Sequence, residues 1–162
     1  MKYLFLLLCM VAGVIEHFIP LGFTATSPAW THLTYNFAHA NVFHLIINMV
    51  VFVKLYDIVE WKILLLGVLI ATVISFVPFL AHGYTVGFSG VLFAMLGFMY
   101  VVRKFTLKSY LINAAWIVVG SVVGLWAQNV NVWLHIACLT AGIIAGVLYV
   151  IVVLSIWGLI EL

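Results

Sequence analysis

Apolar and polar positions divide the chain into six long hydrophobic runs separated by five polar breaks. The runs cover about residues 3–19, 40–56, 63–80, 89–102, 110–127 and 132–158. Pro20 to Asn36 forms a polar, aromatic break containing Pro28, and Asp57-Ile58-Val59-Glu60 forms an acidic one. Ala81 to Gly87 carries His82, Gly83, Tyr84 and Gly87; Arg103 to Ser109 is basic; Gln128-Asn129-Val130-Asn131 is neutral and polar. Where the surrounding medium is lipid, each segment must satisfy its own backbone N–H and C=O groups, so runs of this kind are expected to be helices. The pattern predicts an all-α, polytopic membrane protein with six transmembrane helices in one domain, residues 1–162.

Composition narrows the medium. Of the 162 residues 68% are hydrophobic and 6% charged, against about 45–50% and about 25% in soluble domains. No water-soluble core absorbs that much apolar surface, so the partner implied throughout is the lipid bilayer. A formal net charge of +2 is too small to suggest nucleic acid. Cys9 and Cys138 both fall within apolar runs and do not form a disulfide framework of the secreted kind. Lys2 followed by LFLLLCMVAGVI resembles a signal peptide. Tyr3 to Ile19, however, is about 17 residues, the lower limit for crossing a hydrocarbon core, and is expected to be retained as a span.

The basic residues set an orientation. Lys2 precedes the first run, Lys54 and Lys62 flank the break between the second and third, and Arg103, Lys104 and Lys108 lie between the fourth and fifth. With six spans these places share one side, and the opposite breaks contain no Lys or Arg. The positive-inside rule then puts both termini in the cytoplasm. A minimal six-span chain of this kind fits a bacterial inner membrane. Small residues recur in the fourth run (Gly90, Ala94, Gly97) and in the sixth (Cys138, Gly142, Gly146), a spacing that lets two helices approach closely in lipid.

Strongly polar groups inside spans are costly, and each is a candidate functional residue. They are Glu16 and His17 at the outer end of the first run, His39, His44 and Asn48 in the second, Ser89 in the fourth and His135 in the sixth. From Ser89 to Arg103 there are about 14 residues, or roughly 21 Å of helix, against a hydrocarbon core of about 30 Å. Ser89 is therefore expected roughly 9 Å below the outer boundary, with the irregular YTVGF segment above it lining a wet pocket. His135 lies four residues past Asn131, about 6 Å down on the same side. His44 and Asn48 stand at i and i+4 and share a helix face.

These groups suit acyl transfer. A serine hydroxyl needs a neighbouring base, and a histidine in a low-dielectric site stays neutral and able to accept a proton. A developing oxyanion needs donors, for which the His44 ring, the Asn48 amide and backbone N–H groups at the start of the fourth helix are candidates. Gly87 and Gly90 flank the serine and are expected to let substrate backbone approach. A metal site built from His39, His44 and His135 has neither a carboxylate nor the HExxH spacing of membrane metalloproteases. No metal or cofactor is expected. A transporter would show inverted repeats and paired broken helices, and the chain shows no such pattern.

GFSG at Gly87–Gly90, His39-x4-His44-x3-Asn48, and His135 followed by glycines resemble the rhomboid protease family, in the same order and over nearly the whole chain. The resemblance implies an intramembrane serine endopeptidase with a Ser89–His135 dyad lacking an acid member. It also implies oxyanion stabilisation by His44, Asn48 and the Ser89 amide, and substrates that are transmembrane segments of other proteins, cut near the outer leaflet. Trp30 with Thr34 is similar to the family's partly embedded first outer loop. The chain departs from the family in three places: Thr31 follows Trp30 where Arg is usual, Phe93 stands where Tyr is frequent, and Cys138 replaces a glycine. Phe93 can stack on the base but cannot donate to it, and Cys138 is expected to set its helix slightly further from the fourth. Trp116 and Trp126 read as lipid-facing or interfacial anchors. The rival reading is a non-catalytic rhomboid-like protein that binds or escorts transmembrane helices; such relatives lack the serine or the histidine.

Overall fold

The computed structural model describes residues 2–56, 60–81, 83–103, 106, 108–109, 112, 115 and 131–160. The run expected over 110–127, with Trp116 and Trp126, falls almost entirely outside the described residues, as does His82. The described elements are α1 (Lys2–Ile15), α2 (Thr31–Thr34), α3 (Val42–Tyr56), α4 (Trp61–Ser75), a 3-10 turn (Pro78–Leu80), α5 (Ser89–Val102) and α6 (Val132–Ile160). Among the described residues the one extended pairing is an isolated antiparallel bridge, Phe23 to Thr85.

Several boundaries differ from the apolar pattern, each for a local reason. The first run is expected to reach Ile19, but its helix ends at Ile15 and the chain turns through Glu16–Ile19. There the Glu16 carboxylate accepts the Leu21 N–H at 2.8 Å. The second helix begins at Val42 rather than 40, because Asn41 Oδ1 caps it by accepting the His44 N–H at 2.9 Å. His39 consequently lies ahead of the helix and not within it. The third helix stops at Ser75, short of 80, and the chain re-forms only as the 3-10 turn begun by Pro78, whose ring and missing N–H break the ladder. The fourth spans Ser89–Val102 as expected, and the sixth extends to Ile160. The first polar break is not wholly irregular, since it contains the short α2.

α5 occupies the centre. It is apolar all round, and every residue from Gly90 to Met99 is buried, as befits a core helix. α3, α4 and α6 pack against it, and α1 packs on α3. Phe5 and Cys9 of α1, Phe52 of α3, Leu64 and Ala71 of α4 and Cys138 of α6 converge on that core with Phe88, which immediately precedes α5. The small-residue stripes meet as the spacing predicts. A Cβ on Gly97 would overlap the Leu139 carbonyl, and one on Gly142 would overlap the Ala94 carbonyl. The two helices therefore touch backbone to backbone.

α6 is the one described helix long and apolar enough to cross a membrane; α1, α3, α4 and α5 are apolar but shorter. Most of α6 is turned outward, with Trp133, Ile136, Ile144, Leu148, Ile151 and Leu154 exposed. An apolar surface of that extent suits contact with acyl chains.

Candidate active site

The loop after α1 and the segment before α5 pair with each other, and this fixes the approach to Ser89. Phe23 N–H donates to Thr85 C=O at 3.1 Å, Thr85 N–H returns to Phe23 C=O at 3.0 Å, and Ala25 N–H donates to Ala81 C=O at 3.1 Å. Tyr84 donates its hydroxyl to Glu16 and accepts the Gly22 N–H at 3.0 Å. Burial, reinforced by the bond to Glu16, pushes the Tyr84 phenol up to about 12. Gly87 N–H donates to the Tyr35 carbonyl at 2.9 Å, while the Tyr35 hydroxyl donates to Ala71 C=O of α4 at 2.9 Å. His32 fastens α2 to α4: its Nδ1 lies 3.0 Å from Ser75 Oγ, and its ring stacks on Phe76 at 4.0 Å. Irregular backbone ahead of α5 is thereby satisfied by protein.

Gly87 has a φ of 133°, a conformation only glycine adopts without strain. A Cβ there would lie 2.7 Å from His44 Cε1 and 3.5 Å from Ser89 Oγ. The His44 imidazole, the Ser89 hydroxyl and the glycine backbone thus share one small space. Phe88, fully buried against Phe52 with ring centroids 5.3 Å apart, anchors the residue before the serine.

Ser89 opens α5, so its N–H lies among the helix-start donors with no intrahelical partner, at the positive end of the helix dipole. Its Oγ lies 2.6 Å from His135 Nε2. His135 is buried and stacks flat on Phe93, with centroids 4.5 Å apart and planes 8° apart. Among the described residues its Nδ1 has no hydrogen-bond partner, so the ring is oriented by stacking rather than by a carboxylate.

Asn48 is buried one turn along α3 from His44, and both its Nδ2 and His44 Nδ1 are without a partner among the described residues. Buried polar groups are normally paired; the Asn48 amide is left open on the same helix as His44, whose Cε1–Nε2 edge is the one beside Gly87. His39 is buried too, donates Nδ1–H to Phe37 C=O at 3.0 Å, and meets His44 edge to face with centroids 5.2 Å apart. Burial, and then the neighbouring His44, lowers its pKa to about 4.

Ser89, His135, His44, Gly87 and Phe93 are brought together, with His39 behind His44. Two expectations change. Gly90 does not face an approaching substrate: a Cβ there would lie 3.4 Å from the Tyr35 hydroxyl and 3.5 Å from Cys138 Sγ, so it is a packing glycine between α5, α4 and α6. Cys138 fills the space beside that glycine, and the helices still reach backbone contact one turn further on. Trp30 is about half exposed at the start of α2, where the Thr31 hydroxyl donates to Pro28 C=O at 2.7 Å. The Glu16–Tyr84 link and the cap at Asn41 are additional to the residues the sequence singles out, and Asn131, there only the edge of the last helix, is its cap. The caps were readable, since an Asn directly before an apolar run is a helix-start signal. The link, between positions 68 apart in sequence, was not.

The apolar helices and the apposed serine and histidine define a helical membrane-protein core holding a Ser–His pair. A family model described as the Rhomboid domain matches residues 26–155, most of the chain, and the chain belongs to the rhomboid family. No curated protein matches it. Members of the family are membrane proteins and generally intramembrane serine proteases, and the family also includes inactive members.

Proposed function

We propose that this chain is an active intramembrane serine endopeptidase that cleaves transmembrane segments of other membrane proteins near the outer leaflet. It crosses a bacterial inner membrane six times with both termini in the cytoplasm, as its Lys and Arg positions favour. The observation that carries the reading is the 2.6 Å approach of Ser89 Oγ to His135 Nε2, within hydrogen-bond reach of a nucleophile and its base.

Ser89 Oγ attacks the scissile carbonyl carbon as His135 Nε2 takes the hydroxyl proton. The resulting oxyanion is held by His44, Asn48 and the Ser89 N–H. His135 then returns the proton to the departing amine nitrogen, leaving an acyl-serine. Water, deprotonated by the same Nε2, attacks the acyl carbon, and collapse of the second tetrahedral species releases the carboxylate and restores the serine. Phe93 keeps the imidazole in plane through both steps.

The test is fluorophosphonate labelling of the detergent-solubilised protein beside cleavage of a model transmembrane substrate. Wild type should label and cleave, and Ser89→Ala, still folded, should do neither. Folded wild type that does neither would instead indicate a non-catalytic protein that binds transmembrane helices. His44→Ala and Asn48→Ala should each lower the cleavage rate by roughly 10- to 1000-fold, as for oxyanion donors elsewhere. Full-rate cleavage by Asn48→Ala would remove it from the oxyanion site.

A further inference from the structure

We propose that Asn131 is a positioning residue that sets the Ser89–His135 distance by tying together the two chain segments carrying them. The inference rests on the reading of Ser89 as nucleophile and His135 as base. Thr85 and Asn131 stand four residues ahead of Ser89 and His135 respectively. Asn131 Nδ2 donates to the Leu80 carbonyl and, at 3.4 Å, to Thr85 Oγ1. Its Oδ1 accepts the Leu134 N–H at 3.0 Å, and its main-chain carbonyl accepts the His135 N–H at 3.2 Å. One side chain therefore caps α6 and joins that cap to the approach to α5.

The anchoring end is itself fixed. Thr85 is buried, pairs through its backbone with Phe23 and donates its hydroxyl to Gly83 C=O at 3.2 Å. Leu80 closes the 3-10 turn begun by Pro78. Among the described residues, the His135 ring contacts that set its orientation are the flat stack on Phe93 and the bond to Ser89. Stacking resists movement perpendicular to the ring but little movement within its plane, because sliding one apolar face over another keeps most of the contact. An imidazole nitrogen makes its hydrogen bond through a lone pair or N–H directed in the ring plane, so the bond to Ser89 Oγ is sensitive to such sliding. The reach of His135 toward the serine thus depends on where the first turn of α6 sits, which Asn131 fixes at its cap while the α5 contacts hold the helix further along.

The full-length protein in detergent tests this with Asn131→Asp, Asn131→Ala, Thr85→Val and Thr85→Ser. Asn131→Asp keeps the acceptor for Leu134 and nearly the same volume but loses both donations; Asn131→Ala loses all three bonds without adding charge. Fluorophosphonate labelling per folded molecule, and kcat on a model transmembrane substrate, should fall roughly 10- to 100-fold in both Asn131 variants, the scale of a misplacement near 1 Å. KM should stay unchanged. Thr85→Val should show a smaller loss, and Thr85→Ser, which keeps the oxygen, should restore the wild-type rate. Labelling that tracks only the folded fraction would overturn the proposal while leaving the protease reading intact.

A second measurement does not depend on turnover. In protein carrying 15N-histidine, Ser89→Ala should shift the His135 Nε2 resonance when Asn131 is present and leave it unmoved in the Asn131→Asp background. Equal shifts in both backgrounds would refute the positioning role even if wild type neither labels nor cleaves, the result that would separately refute the protease reading.

Discussion

Replacing His135 by alanine is expected to abolish turnover of a transmembrane substrate while leaving the bundle folded. The ring contributes a hydrogen bond to Ser89 and a stack on Phe93, and its Nδ1 makes no bond whose loss would strand a partner among the described residues. The helix contacts that hold α6 lie further along, at Leu139, Gly142 and Gly146. The chemical loss is large because His135 Nε2 is the group bonded to the Ser89 hydroxyl and carries the proton in the proposed mechanism. Losses of about 10⁴-fold or more accompany removal of a nucleophile or its base in serine hydrolases. The measurement is single-turnover cleavage of a model substrate with melting of the same sample followed in parallel. Cleavage within a few-fold of wild type would take the base role away from His135.

The second large effect is expected from a change that touches no polar group. Gly142→Val should destabilise the protein severely, and Gly142→Ala measurably, because any Cβ there runs into the Ala94 carbonyl. Backbone cannot yield as a flexible side chain does, so α5 and α6 must separate along the whole Gly97, Leu139, Gly142 and Ile143 contact. Overpacking of this kind typically costs about 1–3 kcal/mol, occasionally more. Gly13 supplies the control, since a Cβ there meets nothing within 4 Å and alanine improves helix propensity. Thermal unfolding in detergent should rank Gly13→Ala with wild type or above, Gly142→Ala below and Gly142→Val lowest. Gly142 lies about two turns from His135 on α6, so labelling of Ser89 per folded molecule should fall as well. A Gly142→Val protein that melts and labels like wild type would mean that the close α5–α6 contact is not maintained in solution.

These two predictions draw differently on the sequence. The α5–α6 contact was legible because helical spacing of small residues is a one-dimensional pattern with a direct geometric consequence. The Ser89–His135 pairing was legible as two costly polar groups at similar depth, and the ordered motifs added the resemblance to rhomboids. Helix ends were less so. The sequence pattern carries the first and third runs on to Ile19 and Leu80, yet the backbone leaves the helix where Glu16 takes the Leu21 amide and where Pro78 removes a donor.

By itself the sequence determined the medium, the helical class, Ser89 and His135 as candidate partners, and the small-residue stripes that bring α5 and α6 together. Each follows from residue type and local spacing, which the chain carries before it folds. Only the tertiary structure decided that Gly90 packs inward while Gly87 shares its space with His44 and Ser89, that His39 stands outside its helix, and that Glu16 holds Tyr84. The same holds for Asn131, whose side chain spans the approaches to both halves of the Ser–His pair. Those facts concern which distant residues share a few ångströms, and such proximity is created by packing helices together rather than by any single stretch of chain.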